Sequence, residues 1–269
     1  MAKLTLLTYA TPEFAAQQRA LCDSATASGF DAVVALSPAN LAGTAFWQQN
    51  RATLEQKRGG GYWLWKPYII LEQVRRLAPG EVLLYCDAGR DASNRFTRRP
   101  ERLMAQAQSV AGGFICGTKT PQFGPLIRWT KRDCLILMGA DTPEFWTRPQ
   151  IQATWSVWTN TPAAIDFLEQ WLEYATDPRC LTDLPGTFGP DHPEFVDHRH
   201  DQSIATLLAY QRNAPFLDLE ATGLYRLFAL RPRSRLANTY LKRPQHADDL
   251  LAGRPAWLSL ILAQLRYAG

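Results

Sequence analysis

The chain has 269 residues, 46% hydrophobic and 20% charged, with 17 Gly and 9 Trp, a balance that excludes wholesale disorder, collagen-like repeats and coiled coil. That length is enough for one sizeable α/β core. Twenty-nine Lys and Arg against 25 Asp and Glu leave a net charge of +4, which suits an anionic ligand and is too small to indicate nucleic acid. Five cysteines (Cys22, Cys86, Cys116, Cys134, Cys180), with no C-x-x-C, suggest neither a disulfide framework nor a zinc ribbon and are expected as reduced thiols in the core. The longest apolar stretch, residues 255–265, falls short of the roughly 20 residues that cross a bilayer. Residues 1–9 lack the apolar region of a signal peptide, so a cytoplasmic chain is expected.

Residues 3–9 and 32–36 are apolar runs with an Ala-rich stretch between Pro12 and Ser28 that Gly29 closes, which predicts strand, helix, strand. A helix opening at Lys66-Pro67 carries Ile70, Val74 and Leu77 on one face and stops at Pro79-Gly80. The continuous apolar run 81–86 reads as a buried strand of a mostly parallel sheet, ending abruptly in Asp87-Ala88-Gly89-Arg90-Asp91. A helix near 100–108 and a strand over 113–117 follow. Thr130-Lys131-Arg132-Asp133 has the form of a capping box for a short helix closed by Gly139. Residues 151–158 look extended, and Thr161-Pro162 starts a helix with Ile165, Leu168, Leu172 and Ala175 on one stripe. Residues 177–200 form a loop longer than ordinary connectors, hence functional or mobile. Asp201 is a suitable N-cap for a helix carrying Ile204, Leu207 and Leu208.

Several signatures are missing. The first strand is not followed by G-x-G-x-x-G, the three glycines 59–61 do not make a P-loop, and there is no G-x-S-x-G or H-E-x-x-H. Three clusters remain. Arg58-Gly59-Gly60-Gly61-Tyr62-Trp63-Leu64-Trp65-Lys66 joins glycines, rings and a cation near a helix N-terminus, which suits a diphosphate and a sugar or base. The alternative is that Trp63 and Trp65 anchor the core and Lys66 is a solvated residue of the first turn. At the end of the apolar strand, Asp87 can bind a divalent cation or a sugar hydroxyl, with Gly89 allowing close approach, or it can simply pair with Arg90. Asp197-His198-Arg199-His200-Asp201-Gln202-Ser203 has no fourth partner at recognisable spacing for structural zinc, and Asp201 serves there either chemistry or helix capping.

In this order the motifs resemble the GT-A-fold glycosyltransferases of bacterial capsule and lipopolysaccharide assembly, of the family 8 and 32 type. Trp63-Leu64-Trp65-Lys66-Pro67-Tyr68 is similar to the family's aromatic and cationic helix, and the strand 82–89 stands in the place of its "hLYhDxD". Trp158-Thr159-Asn160-Thr161-Pro162 with the helix after it is similar to the "N-T-P" turn and "FLxxW" helix, and His200-Asp201-Gln202-Ser203 to the "DQ" that opens a late helix. The resemblance covers roughly residues 3 to 210.

It implies a single α/β domain over 1–225, with a mostly parallel sheet flanked by helices. The donor half would be about 1–120 and the acceptor half about 121–225. It also implies a hexosyltransferase-like enzyme moving a sugar from a nucleotide-diphosphate donor to a hydroxyl of a glycan or lipid-linked acceptor. Donor contacts would come from Thr8, Tyr9, Trp65, Lys66, Asp87, Ala88 and Gly89, and catalysis from Asp201, Gln202 and His200. Asp201 would be the base if the reaction inverts; Asp201 or Gln202 would position the sugar if it retains. Gly89 stands where the family has its second carboxylate, so either Asp87 and Asp91 share Mn²⁺ or Mg²⁺, or Lys66 and Arg90 neutralise the leaving diphosphate instead. A noncatalytic nucleotide-sugar or glycan-binding module and a nucleotidyltransferase are the alternatives.

The last fifth stands apart. Arg226, Arg231, Arg233, Arg235, Lys242, Arg243 and Arg254 make 226–269 a basic extension whose terminal helix either rests on an anionic membrane at its inner face or docks on the core or a second copy.

Overall fold

A computed structural model of the protein describes residues 2–89, 94–96 and 98–218. The readings placed on 226–269, and on Arg90 and Asp91, lie outside the described residues. Seven strands form: β1 (Leu4–Tyr9), β2 (Ala32–Leu36), β3 (Val82–Cys86), β4 (Phe114–Ile115), β5 (Thr118–Lys119), β6 (Ile151–Gln152) and β7 (Trp155–Trp158). The longer helices are α1 (Ala15–Ala27), α2 (Trp65–Val74), α3 (Glu101–Ser109), α4 (Arg132–Leu137), α5 (Pro162–Thr176) and α6 (Asp201–Gln211). The central sheet runs β2-β1-β3-β7-β4, and β5 and β6 make a separate antiparallel pair. β1 is parallel to β2 and β3, whereas β7 is antiparallel to both β3 and β4. The expected mostly parallel sheet flanked by helices is therefore the observed one, with a single reversed strand inside it.

The unbroken apolar run of β3 is explained by cover on both faces. Strand alternation sends Leu83 and Tyr85 to one side, where they meet Ile69, Ile70 and Val74 of α2 and Phe167, Leu168 and Trp171 of α5. Val82, Leu84 and Cys86 go to the other, against Leu21 and Ala25 of α1 and Leu103, Met104 and Ala107 of α3. β1 divides in the same way, with Leu4 and Leu6 on the second side and Leu7 and Tyr9 on the first. Leu7 pairs with Tyr85, so Tyr9 and Asp87 leave the sheet level with each other at the edge where open α/β sheets place ligands.

Several local expectations change in detail. α2 begins at Trp65, one residue early. Thr161 caps α5, accepting from Ala164 N at 3.2 Å, but the buried stripe is Ala164, Phe167, Leu168, Trp171 and Ala175, with Ile165 and Leu172 at its half-buried margin. The capping box at 130–133 does not form. Lys131 occupies the cap position without a side-chain bond, because the Thr130 hydroxyl donates to Ser203 Oγ and the Asp133 carboxylate accepts from the backbone of Thr187 and Phe188. Only Phe114 and Ile115 of the 113–117 segment join the main sheet. All five cysteines are free thiols, and Cys22 is only half-buried. Among the described residues no helix is long and apolar enough to cross a membrane.

The glycines 59–61 make a left-handed turn, with φ of +58°, +56° and +96°, and Tyr62 and Trp63 continue it at 54° and 59°. Glycine is needed here for its conformation and for space. A Cβ on Gly61 would lie 2.6 Å from Leu54 Cα, a backbone atom that cannot step aside. Gly61→Ala should therefore cost about 2–4 kcal/mol, combining backbone strain and overlap. Chemical denaturation reads this directly, and an unchanged midpoint would contradict the packing described.

Candidate functional site

The site begins with a lysine. Lys66 lies in the first turn of α2, only 3% exposed, and its ammonium is held by three oxygens from three other segments. Asp201 Oδ2 of α6 is 2.9 Å away, and Asp87 Oδ1 at the end of β3 is 3.3 Å away. The carbonyl of Ala153, between β6 and β7, accepts at 3.3 Å. Burial alone would push the ammonium toward neutrality, but the carboxylates of Asp201 and Asp87 outweigh it and raise the pKa above the usual lysine value. Burial raises the Asp201 carboxyl to about 6, against the opposing pull of Lys66. The Tyr85 phenol, pushed well up by burial and then by Asp87, stays protonated and donates to Asp87 Oδ1 at 2.5 Å.

Beside this cluster a cavity of about 610 Å³ opens at the ends of β1 and β3, within the size range of small-molecule sites. Tyr9 and Trp65 stack at 3.9 Å to form one wall, and the Trp65 indole N–H donates to Gly59 O at 3.1 Å. Gly59 and Gly60 of the left-handed turn, Trp63, Lys57 and the Asp87-Ala88-Gly89 corner line it too. A Cβ on Gly60 would meet Thr11 Cγ2, another residue of the lining, at 2.6 Å, so the turn packs closely there.

The structure brings Tyr9, Trp65, Asp87, Ala88 and Gly89 into this cavity and corrects the placing of three other residues. Thr8 is fully buried inside β1, because alternation puts it on the face opposite Tyr9, and its hydroxyl has no hydrogen-bond partner among the described residues. Lys66 lies behind the cavity wall instead of in solvent at a helix N-terminus, since two carboxylates distant in sequence compensate its burial. Asp201 does not cap α6. His200 takes that position with φ 51°, and Asp201, the first helical residue, turns its carboxylate to Lys66.

His200 joins neither the cavity nor the lysine cluster. Its Nδ1 lies 2.8 Å from Leu181 O, so Nδ1 carries the proton, and its ring packs on Tyr62 and Trp63. Burial holds its pKa below the ordinary histidine value. Gln202 faces a second, smaller cavity. The long loop is fastened at several points: Arg58 pairs with Asp183 and Asp197 at 2.9 Å each. The Lys131 ammonium donates to Thr182 O and Leu184 O, and Asp133 accepts from residues 187 and 188. Tyr85, Lys57 and Ala153 were missed as site residues. An aromatic inside an apolar strand reads as core, and a backbone carbonyl leaves no mark in sequence.

The described residues do not fit a divalent cation. Asp87 Oδ1 is already shared by the Tyr85 hydroxyl and the Lys66 ammonium, and a cation there would be repelled by a buried positive charge. Among the described residues no group of three or more His, Cys, Asp or Glu could hold a metal, and the second expected ligand, Asp91, lies outside them.

No family model and no curated protein matches the chain. Among solved structures, the apo form of the bifunctional glycosyltransferase WbbM is similar at 12% identity and a TM-score of 0.46. The match covers 81% of this chain and 39% of that one, so this chain spans well under half the length of that protein.

Removing Lys66 should be costly, because it leaves Asp201 buried and uncompensated. Lys66→Met should lose about 3–5 kcal/mol in denaturant melts near neutral pH. Asp201 has a raised folded-state pKa, so its protonated form favours the fold and stability falls as pH rises through that value. Without the pull of Lys66 the carboxyl of the variant titrates higher still, so its deficit should shrink as pH drops from neutral toward about 6. A variant as stable as the parent at neutral pH would return Lys66 to the surface.

Proposed function

We propose that this protein transfers a sugar from a nucleoside-diphosphate donor to a hydroxyl of a glycan or glycolipid. The observation that carries this reading is the aromatic-walled cavity at the ends of β1 and β3, with Asp87 in its wall and Lys66 joining that carboxylate to buried Asp201. The ordered motifs that resemble GT-A glycosyltransferases support the same reading. They also motivate the pathway proposed: cell-surface polysaccharide assembly, of capsule or lipopolysaccharide, at the cytoplasmic side of the membrane.

In this mechanism the base or sugar of the donor lies on the Tyr9–Trp65 wall. The diphosphate follows the left-handed glycine turn, where Lys57 supplies positive charge. Asp87 accepts a hydroxyl of the donor. With a pKa of about 6, Asp201 is mostly ionised at neutral pH and is the candidate base. It takes the proton of the acceptor hydroxyl as the new glycosidic bond forms, while the bond from the sugar carbon to the diphosphate breaks and its electron pair leaves with phosphate. Lys66 keeps Asp87 and Asp201 at fixed separation throughout. No step here is routed through a metal ion.

A thermal-shift panel of UDP-, GDP- and dTDP-sugars tests donor binding. One of them at 100 times its Kd should add about 2.7 kcal/mol of stability, roughly 5–10 °C at this size, and the shift should persist in EDTA. A panel in which no nucleotide sugar moves the transition would overturn the proposal. Binding without any release of nucleoside diphosphate would leave a noncatalytic nucleotide-sugar module.

Turnover should depend on pH through Asp201. Because the base must be ionised, the rate should fall about tenfold per unit below a pH of about 6. Asp201→Asn should bind the same donor with a turnover loss of 100-fold or more, roughly the size of general-base effects. A pH-independent rate between about 5 and 8, or full activity in that variant, would remove Asp201 from the chemistry.

A further inference from the structure

The second cavity, about 190 Å³, shares no lining residue with the first. It is lined by the rings of Phe123 and Trp129, the amides of Gln150, Gln152 and Gln202, and Arg199. One residue connects the two sites: Ala153 accepts from Lys66 Nζ through its carbonyl and donates to Gln202 Oε1 at 3.4 Å through its amide. Gln202 also follows Asp201 directly in α6.

The walls are built and fixed. Trp129 is pinned by its indole N–H donating to Phe123 O at 2.7 Å, and the Arg199 guanidinium lies 4.4 Å from its ring centroid. Gln150 is fully committed: its Nε2 donates to Thr130 Oγ1 at 3.2 Å, and its Oε1 accepts from Gln202 Nε2 at 3.2 Å and Thr206 Oγ1 at 3.1 Å. Against this order, one amide atom of the lining stands out. Gln152 Oε1 is shielded from solvent without a hydrogen-bond partner among the described residues. Unmet amide groups out of contact with water cost on the order of 1–3 kcal/mol each, and a ligand bringing hydroxyls would recover that loss.

The lining holds no carboxylate, so it is not built for a cation, and its one guanidinium already lies over Trp129. Aromatic rings, amides with both donors and acceptors, and room for about one six-membered ring match a neutral pyranose. Such a ring offers an apolar C–H face to Trp129 or Phe123 and its hydroxyls to the amides. We propose that this cavity is the acceptor subsite and binds one neutral pyranose unit of the acceptor glycan. The proposal rests on the glycosyl-transfer reading above; Gln202 of this lining directly follows Asp201 in α6, which ties the cavity to the candidate base.

The test is saturation-transfer NMR on the full chain with methyl glycosides of glucose, galactose, mannose and N-acetylglucosamine. At least one should give a signal that UDP does not displace. Gln152→Leu removes a polar atom without a partner, so it should keep or raise the melting temperature while weakening that glycoside about fivefold or more. Trp129→Phe should weaken it as well. Absence of any glycoside signal, or equal binding in Gln152→Leu, would overturn the subsite. The two proposals fail separately: nucleotide sugars that shift the melting temperature while no glycoside binds remove only the subsite. Glycosides that bind in a Gln152-dependent way, with no nucleotide sugar effective, keep a pyranose site and remove glycosyl transfer.

Discussion

A lysine ammonium buried at 3% exposure persists only if its surroundings replace the water it has lost. Here Asp87, Asp201 and the Ala153 carbonyl do so, and each comes from a different part of the chain. The end of β3, the start of α6 and the corner between β6 and β7 are thereby fixed against the start of α2. The cost of burying Lys66 and Asp201 is recovered only with the whole cluster in place, so the cluster specifies one arrangement of these elements. Its total of two carboxylates and one ammonium leaves a residual negative charge. Burial first, and the Asp87 charge after it, outweigh the pull of Lys66 and are why Asp201 holds a proton up to about pH 6.

The neighbouring features make sense around that cluster. The left-handed glycine turn lets Trp63 and Trp65 follow immediately on a backbone path that other residues could not take, which brings Trp65 against Tyr9 and makes the cavity wall. Arg58, just before the turn, reaches Asp183 and Asp197 and so ties the same segment to the long loop that leads into α6. Cavity wall, charge cluster and late helix are thus one mechanical unit. The smaller cavity is joined to it through Gln202 of α6, whose Oε1 accepts from the Ala153 amide.

Much of the fold was legible because its signals were local. The double-sided burial of β3 is written in Glu81 to Cys86, and the start of α5 in Thr161-Pro162, where the threonine hydroxyl caps as expected. The site was legible as far as the residues at strand ends: Tyr9, Asp87, Ala88 and Gly89 all reach the cavity. What could not be read was pairing over distance. Lys66 looks like any charged first-turn residue until Asp87 and Asp201 arrive, and Asp201 looks like a cap until Lys66 takes its carboxylate. The Thr130–Asp133 box failed for the same reason, since Ser203, Thr187 and Phe188 offered better partners than the helix end. Thr8 was a local error, because period-two alternation already separated it from Tyr9.

The account turns on Asp87 and Asp201 acting together through Lys66, and a double-mutant cycle on nucleotide release measures this most directly. Nucleoside-diphosphate release from the donor that stabilises the protein would be followed in the parent, Asp87→Asn, Asp201→Asn and the double variant, each shown to be folded. The account predicts that each single change lowers turnover and that the double loses clearly less than the product of the two, because both carboxylates work through one ammonium. Folded single variants that both retain parental turnover would contradict it.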